Sequence, residues 1–233
     1  HNPKDDNGIK MVINNKPVSG TEILSLTKSI LDFNGIKEEI INLDIIEDYI
    51  DDVLQKITLN KPENLKVVID CGNGAAGCVA PELFKRLGCN VINLFSEIDG
   101  NFPNHHPDPG KLANLQDLIK SVKLENADLG LAFDGDGDRV GLVTEVGNVV
   151  FPDKIMMLFA KDVLAKNNGG QIIFDVKCSN SLAEIIKVNG GEPIMSPTGH
   201  FHIKNKLRET NALLAGEMSG HIFFNDDWYG FDD

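Results

Sequence analysis

Residues 129–144 have the sequence LGLAFDGDGDRVGLVT, in which six loop residues separate two apolar runs. The runs Leu129–Phe133 and Val140–Thr144 have the length and composition of β-strands. Upstream, further strand-length runs alternate with stretches of helical periodicity, over residues 66–70, 81–87, 90–95 and 112–123. This alternation predicts an α/β fold built from βαβ units.

The same alternation resumes downstream, with helical periodicity at 153–166, 181–188 and 202–209 and strand-length runs at 172–175 and 193–195. The first 45 residues differ, since a strand-like run at 8–13 and a helical stretch at 21–33 resemble the end of a preceding unit. We therefore expect mixed sheets flanked by helices in successive α/β domains. The predicted domains are residues 1–45, 46–148 and 149–233.

Composition and charge limit the classes of partner. The 22 Lys and Arg residues against 35 Asp and Glu residues give a formal net charge of −13, which would repel nucleic acid and anionic membrane surfaces. The longest apolar run, Ile155–Ala160, is far shorter than the ~20 residues that span a bilayer. The four cysteines form no C-x-x-C pair and are expected to be reduced. We predict a cytoplasmic protein without nucleic-acid or membrane partners.

The loop between the two quoted strands is a candidate metal site. Asp134, Asp136 and Asp138 alternate with glycine, so a tight loop can direct three carboxylate oxygens at one hard cation, and Mg²⁺ fits best. One alternative is a solvated acidic turn. Another is an EF-hand, because Glu145 falls at its twelfth position, although Arg139 occupies the place of the required glycine and strands flank the loop.

Arg139 adds a second function to this loop. Its planar, permanently charged guanidinium is suited to binding phosphate. A metal ion with an adjacent arginine indicates phosphoryl chemistry.

A second candidate site is the stretch Gly216–His221, with the sequence GEMSGH. In an extended conformation Glu217, Ser219 and His221 would project on one face and offer a carboxylate, a hydroxyl and an imidazole together. Such a set suits vicinal sugar hydroxyls. Alternating polar residues are also typical of an exposed strand face, so the pattern alone leaves both interpretations open.

Two further segments carry weaker signals. Gly72, Gly74 and Gly77 fit the dinucleotide pattern G-x-G-x-x-G, but no acidic residue ends the next strand, which favours a structural turn. His105 and His106 lie in a proline-rich stretch and are interpreted as loop structure. His200 lies between a strand and a helix, a usual place for a ligand-facing residue in an α/β unit.

Three motifs in the same order resemble one family. The opening His1-Asn-Pro resembles the end of a phosphoserine loop, residues 134–139 a metal loop and residues 216–221 a sugar-recognition loop of the α-D-phosphohexomutases. The resemblance is strongest to the bacterial phosphomannomutase/phosphoglucomutase branch. It implies a monomeric, Mg²⁺-dependent enzyme of four domains. Such an enzyme interconverts hexose 1-phosphate and hexose 6-phosphate of mannose and glucose through a phosphoserine and hexose 1,6-bisphosphate.

The resemblance also implies roles for individual residues. Asp134, Asp136 and Asp138 would bind Mg²⁺, and Arg139 would contact the phosphate. His1 and Lys10 would flank that phosphate, with Lys10 as a general acid/base. Glu217 and Ser219 would hold ring hydroxyls, and the remaining substrate surroundings would be Lys177, His200 and His221.

Some features depart from the family pattern. The phosphoserine would immediately precede His1, and no fourth domain follows Asp233, so we expect a fragment that is inactive by itself. Pro197 stands where the family often has lysine. Phosphoglucosamine mutase is an alternative, although that group usually has glutamine where Met218 stands. A non-catalytic module that binds a metal or a sugar phosphate is the other alternative.

Overall fold

Two β-sheets with helices on both faces make up most of the protein. The computed structural model describes residues 11–14, 16–18, 20–27 and 41–225. In the N-terminal part, β1 (Val12–Ile13) pairs antiparallel with β2 (Lys16–Pro17), and α1 spans Gly20–Thr27. These elements agree with parts of the strand and helix predicted at 8–13 and 21–33. Met11 precedes the strand, and the other residues of the two predicted segments lie outside the described ranges.

The first unit begins with the helix α2 and contains a five-stranded sheet. Its elements are α2 (Ile46–Lys56), β3 (Lys66–Asp70), α3 (Ala80–Arg86), β4 (Asn90–Leu94), α4 (Gln116–Glu125), β5 (Leu129–Phe133), β6 (Val140–Thr144) and β7 (Val149–Val150). The strand order is β4-β3-β5-β6-β7, in which β4, β3 and β5 are parallel while β6 and β7 are antiparallel to their neighbours.

The strand β3 is buried on both faces. Val68 packs with Leu118 and Val122 of α4, whereas Val67 and Ile69 belong to the core cluster on the face covered by α3. A strand covered on both sides must be apolar along its whole length, which explains the continuous run Val67–Ile69.

The second unit has the same architecture with four strands. Its elements are α5 (Pro152–Asn167), β8 (Gly170–Asp175), α6 (Asn180–Val188), β9 (Gly191–Ser196), α7 (His200–Thr210), β10 (Leu214–Gly216) and β11 (Ile222–Phe224). The order is β9-β8-β10-β11, and only β11 runs antiparallel. The helices α5 and α6 pack on one face of this sheet and α7 packs on the other.

The two units are structurally equivalent, which the sequence did not reveal. The succession β3-α3-β4-α4-β5-β6 has the same directions and neighbours as β8-α6-β9-α7-β10-β11. In both units an antiparallel hairpin follows the third parallel strand. One hairpin carries residues 134–139 and the other carries residues 217–221, so the two candidate site loops occupy the same place in their units.

The architecture confirms the predicted α/β fold with mixed sheets flanked by helices. The pairing of β7 with β6 carries the first sheet two residues past the predicted boundary at residue 148. The domain limits themselves stay a prediction.

Two smaller expectations concern cysteines and membranes. All four cysteines are free thiols, as predicted, and Cys71, Cys89 and Cys178 are buried. Among the described residues, every helix is too short or too polar to cross a bilayer.

Candidate active site

The loop 134–139 closes the hairpin between β5 and β6. The backbone N–H of Asp134 donates to the carbonyl of Arg139 at 3.2 Å, and Gly137 turns the chain with φ +81°. The Asp134 carboxylate accepts from the backbone N–H groups of Gly137 at 3.0 Å and Arg139 at 3.1 Å. It also accepts from Nε of Arg139 at 2.6 Å. The buried carboxylate of Asp134 therefore stabilises the conformation of the loop through hydrogen bonds with the loop's own residues.

Three carboxylates converge in this loop. One ligand atom from each of Asp134, Asp136 and Asp138 lies within 4.8 Å of the others. Asp134 is fully buried, and burial together with the charges of Asp138 and Asp136 raises its pKa, against the opposing effect of Arg139. Crowded like charges in a partly desolvated loop favour a bound cation, and the donors are the oxygens that hard divalent cations prefer.

The EF-hand alternative does not fit this geometry. The loop is flanked by β5 and β6 instead of helices. Glu145 follows the far end of β6, whose five residues separate it from the loop by roughly 17 Å. It cannot complete a calcium loop with the three aspartates.

The loop 217–221 is a tight turn, so the predicted extended conformation of Glu217, Ser219 and His221 is wrong. The N–H of Glu217 donates to the carbonyl of His221 at 2.9 Å, and the N–H of Gly220 donates to the carbonyl of Glu217 at 3.1 Å. Gly220 has φ +107°, which residues with a side chain rarely adopt. The turn nevertheless brings the three side chains together, since Nδ1 of His221 lies 2.8 Å from Oγ of Ser219 and 3.2 Å from Oε2 of Glu217.

Glu217 is a buried anchor of this loop. It is 2% exposed, and its Oε1 accepts from the backbone N–H of Gly199 at 2.6 Å. Burial by itself would raise the pKa of Glu217, but the hydrogen bonds from His221 and Gly199 outweigh it and lower the pKa. The carboxylate is therefore ionised and links the 217–221 loop to the start of α7.

The two site loops meet at His221. Its Nε2 lies 3.3 Å from Oδ1 of Asp138 in the other unit, and its ring packs edge-on against His200 with 4.1 Å between centroids. Burial opposes protonation of His221, but the hydrogen bonds to Asp138 and Glu217 raise its pKa to about 9. The structure thus brings the predicted metal loop together with His200 and the predicted sugar loop.

The three remaining predicted site residues are not part of either loop. Lys177 follows β8 with an exposed side chain, and its backbone N–H donates to Oδ1 of Asp175 at 3.1 Å. His1 and Lys10 lie outside the described residues.

The glycine-rich turn after β3 packs against the metal loop. The N–H of Ala75 donates to the carbonyl of Gly135 at 3.0 Å, and a Cβ on Gly74 would lie 2.8 Å from the same oxygen. The turn leads into a short 3₁₀ helix, Ala75–Cys78, before α3 begins. This arrangement supports the structural interpretation over a dinucleotide site.

Sequence reasoning missed two buried carboxylates next to the site loops. Asp70 and Asp175 end β3 and β8 and are fully buried. Each binds a side chain from the loop after the adjacent strand, His105 after β4 and Thr198 after β9. The available signal was an aspartate at the end of an apolar strand in both units, at Ile69-Asp70 and Phe174-Asp175.

Comparisons with known proteins show which family this chain is similar to. Residues 47–147 match the family model for α/β/α domain II of phosphoglucomutase/phosphomannomutase, and residues 151–233 match the model for domain III. The phosphomannomutase/phosphoglucomutase of Pseudomonas syringae pv. tomato is 56% identical over 100% of this chain and 50% of its own length. The phosphoglucomutase of Neisseria gonorrhoeae is 49% identical over 100% of the chain and 51% of its own length.

A solved structure shows the same fold. The crystal structure of a phosphoglucomutase/phosphomannomutase family protein from Burkholderia thailandensis superimposes with a TM-score of 0.93 at 52% identity, over 100% of this chain and 51% of that chain. The chain thus spans about half the length of these relatives. Two family models that together cover most of the chain, with relatives above half identity over its whole length, place it in the phosphoglucomutase/phosphomannomutase family.

Proposed function

We propose that the protein containing these residues is a phosphohexomutase that interconverts hexose 1-phosphate and hexose 6-phosphate of mannose and glucose. The observation that carries the proposal is the 3.3 Å contact between Asp138 and His221, because it joins a three-carboxylate loop to a loop of sugar-binding chemistry. Phosphoryl transfer to a sugar hydroxyl requires that the phosphoryl group and the hydroxyl are held next to each other. The names of the relatives support the same reaction.

Mg²⁺ is the metal that we assign to the first loop. Asp134, Asp136 and Asp138 would hold it, and the raised pKa of Asp134 supports the fit, since a cation would offset the crowded negative charge. When bound, Mg²⁺ would polarise the phosphoryl group and neutralise part of its charge.

Arg139 would orient the phosphoryl group. Its guanidinium is fixed by the 2.6 Å bond to Asp134 and lies 3.8 Å from Asp108, so little side-chain freedom remains to be lost on binding. The reaction would pass through a phosphoserine and hexose 1,6-bisphosphate, as the family resemblance implies. His1 would lie beside the phosphoserine, and Lys10 would take the proton of the attacking hydroxyl and return it to the leaving oxygen.

The second loop would bind the sugar. Ser219 and His221 offer a hydroxyl and an imidazole, while Lys177 and His200 add a cation and a second imidazole for hydroxyl and phosphate oxygens. Because the Glu217 carboxylate already binds Gly199 and His221, it would fix the geometry of the loop as well as accept from ring hydroxyls.

We propose a monomeric cytoplasmic enzyme whose partners are hexose phosphates and hexose 1,6-bisphosphate. The net charge of −13 is compatible with a small anionic substrate only where local cations are clustered, and Arg139, Lys177 and the charged His221 supply them.

The test is a coupled assay of the full-length protein. Conversion of mannose 1-phosphate to mannose 6-phosphate should require Mg²⁺ and cease when the metal is chelated. Turnover of glucosamine phosphate in preference to both neutral hexoses would favour the phosphoglucosamine mutase alternative. Binding of hexose phosphate without turnover of any of the three sugars would favour a non-catalytic module.

A further inference from the structure

Asp70 and Asp175 occupy the same position in the two equivalent units. Each is the last residue of the strand between the two other parallel strands, β3 or β8, and each is fully buried. Each carboxylate accepts from the backbone N–H two residues further on, that of Gly72 at 2.9 Å and that of Lys177 at 3.1 Å. A buried carboxylate is costly unless its oxygens are hydrogen-bonded, so both positions need further donors.

In the second unit one such donor is local, since Sγ of Cys178 lies 3.3 Å from Oδ1 of Asp175. In both units a donor also comes from the loop after the neighbouring strand. Nε2 of His105, beyond β4, lies 3.0 Å from Oδ2 of Asp70. Oγ1 of Thr198, beyond β9, donates to Oδ2 of Asp175 at 3.0 Å. Each carboxylate therefore ties the loop after its own strand to the loop after the adjacent strand.

In the second unit these ties reach the residues assigned to the sugar. Asp175 fixes the backbone of Lys177 on one side and Thr198 on the other. The next residue, Gly199, donates to Glu217, and His200 begins α7. One continuous set of hydrogen bonds thus joins all three loops that carry substrate-binding candidates.

In the first unit the corresponding ties reach the metal loop instead. The turn that begins at Gly72 contacts Gly135 through the N–H of Ala75. The loop that carries His105 also carries Asp108, whose carboxylate lies 3.8 Å from Nη1 of Arg139. A buried aspartate at the end of the central parallel strand therefore supports the substrate loops in the second unit and the metal loop in the first.

We propose that Asp175 and Thr198 are positioning residues for the substrate loops and that Asp70 and His105 are positioning residues for the metal loop. This inference rests on the proposed function. Each pair acts through the loops that it joins, so breaking each pair should change a different kinetic constant.

The experiment compares two matched variants of the full-length protein, each of which removes the cross-loop donor to a buried carboxylate. Thr198→Val should raise the KM for glucose 1-phosphate about tenfold and leave the Mg²⁺ concentration for half-maximal rate within about twofold of wild type. His105→Phe should show the opposite pattern, with a higher Mg²⁺ requirement and a nearly unchanged KM for the sugar. Thr198→Ser and His105→Gln, which keep a donor, should restore most of each loss.

Thermal melts show whether each variant is folded. If Thr198→Val or His105→Phe does not fold, Asp175→Asn and Asp70→Asn replace them and should show smaller shifts in the same directions, because charge-assisted hydrogen bonds become neutral ones. An active wild-type enzyme whose folded variants shift the same constant, or neither constant, would overturn the inference. An inactive wild-type enzyme would instead overturn the proposed function.

Discussion

Nε2 of His221 lies 3.3 Å from Oδ1 of Asp138, and this contact joins hairpin loops of the two α/β units. The two loops occupy equivalent places, since Asp134 and Arg139 close one hairpin as Glu217 and His221 close the other. The two units therefore share one architecture but carry different functional groups on the equivalent hairpin loop. The loop of the first unit carries carboxylates, and the loop of the second carries an imidazole and a hydroxyl. The predictions below test each side of this junction.

Asp136→Asn should abolish most activity of the full-length protein while leaving the fold intact. Asp136 is exposed, so the change removes a proposed metal ligand from the surface of the loop and leaves the packed core in place. We expect the rate at fixed Mg²⁺ to fall by ~100-fold or more, given that even outer-shell changes at metal sites cost ~10–100-fold. The coupled assay, repeated over a Mg²⁺ titration, measures the loss.

Glu145→Gln is the matched control for this change. It also neutralises one exposed carboxylate near the hairpin, but it lies at the far end of β6. Its Mg²⁺ requirement and rate should equal those of wild type. Equal losses in both variants would indicate a general charge effect and contradict the metal assignment.

Much of the fold follows directly from the sequence, because local patterns encode it. The run Val67–Ile69 is apolar since both faces of β3 are covered, and the loop 134–139 is conspicuous because three aspartates alternate with glycine. The equivalence of the two units was missed, because it lies in strand order and direction instead of in residue identity.

Gly74→Ala should weaken Mg²⁺ binding. Gly74 has φ −89°, which alanine can adopt, so the cost arises only from space. A Cβ would lie 2.8 Å from the carbonyl oxygen and 2.9 Å from Cα of Gly135, both in the metal loop. Overpacking against backbone costs ~1–3 kcal/mol, and the metal loop must shift to relieve it. The measurement is the Mg²⁺ concentration for half-maximal rate, with a thermal melt of the same sample.

Gly20→Ala provides the control for this substitution. Gly20 begins α1, and among the described residues no atom beyond its chain neighbours and its own helix backbone lies within 4 Å of a Cβ placed there. The Mg²⁺ requirement of this variant should not change. If Gly74→Ala also binds Mg²⁺ normally, the turn after β3 does not determine the position of the metal loop.

His105→Gln should make stability less dependent on pH. Nε2 of His105 faces the Asp70 carboxylate and Nδ1 faces the carbonyl of His106 at 3.0 Å, so both nitrogens meet acceptors and favour the charged ring. The hydrogen bond to Asp70 raises the pKa of His105 against the opposing effect of burial, with smaller contributions from the His106 carbonyl and the charge of Asp117.

The sign of the pH effect follows from this raised pKa. The stabilisation by charged His105 is fully present below the unfolded pKa of about 6.5 and is lost as the pH rises through the higher folded value. The difference in melting temperature between wild type and His105→Gln should therefore shrink between pH 6 and pH 9. His202→Gln is the control, because His202 is an exposed histidine of α7. It measures how replacing a histidine elsewhere changes the pH dependence of the melting temperature. A difference that is constant or grows with pH would contradict the ion pair.

The candidate site was less predictable than the fold. The sequence indicated Glu217, Ser219 and His221 as a set, but expected them on one face of an extended segment. The chain turns at Gly220 with φ +107°, and the buried carboxylate of Glu217 binds the backbone N–H of Gly199, which is 18 residues from Glu217 in the sequence. Asp70 and Asp175 were missed for the same reason, since their partners come from other loops.

Mannose and glucose phosphates should be used with similar efficiency by the full-length enzyme. The two sugars differ only at C2, whereas the family resemblance assigns Glu217 and Ser219 to hydroxyls at C3 and C4 that both share. Selectivity requires a differential interaction at the unshared group, typically worth ~1–3 kcal/mol. We expect kcat/KM values within about tenfold of each other, which corresponds to about 1.4 kcal/mol. Competition between the two sugars in one assay gives this ratio directly.

Glu217→Ala tests whether the anchor serves both sugars alike. Because Glu217 fixes Gly199 and His221 from a buried position, its loss leaves the backbone N–H of Gly199 without its acceptor and removes one of the partners of Nδ1 of His221, which costs ~1–3 kcal/mol in stability. The displaced loop should then impair mannose and glucose phosphates to the same degree, and the ratio of their kcat/KM values should stay within about threefold of the wild-type ratio. A preference beyond about a thousandfold in wild type, or a loss confined to one sugar in the variant, would mean that another residue reads the C2 configuration. In that case Glu217 and Ser219 would not define the sugar site by themselves.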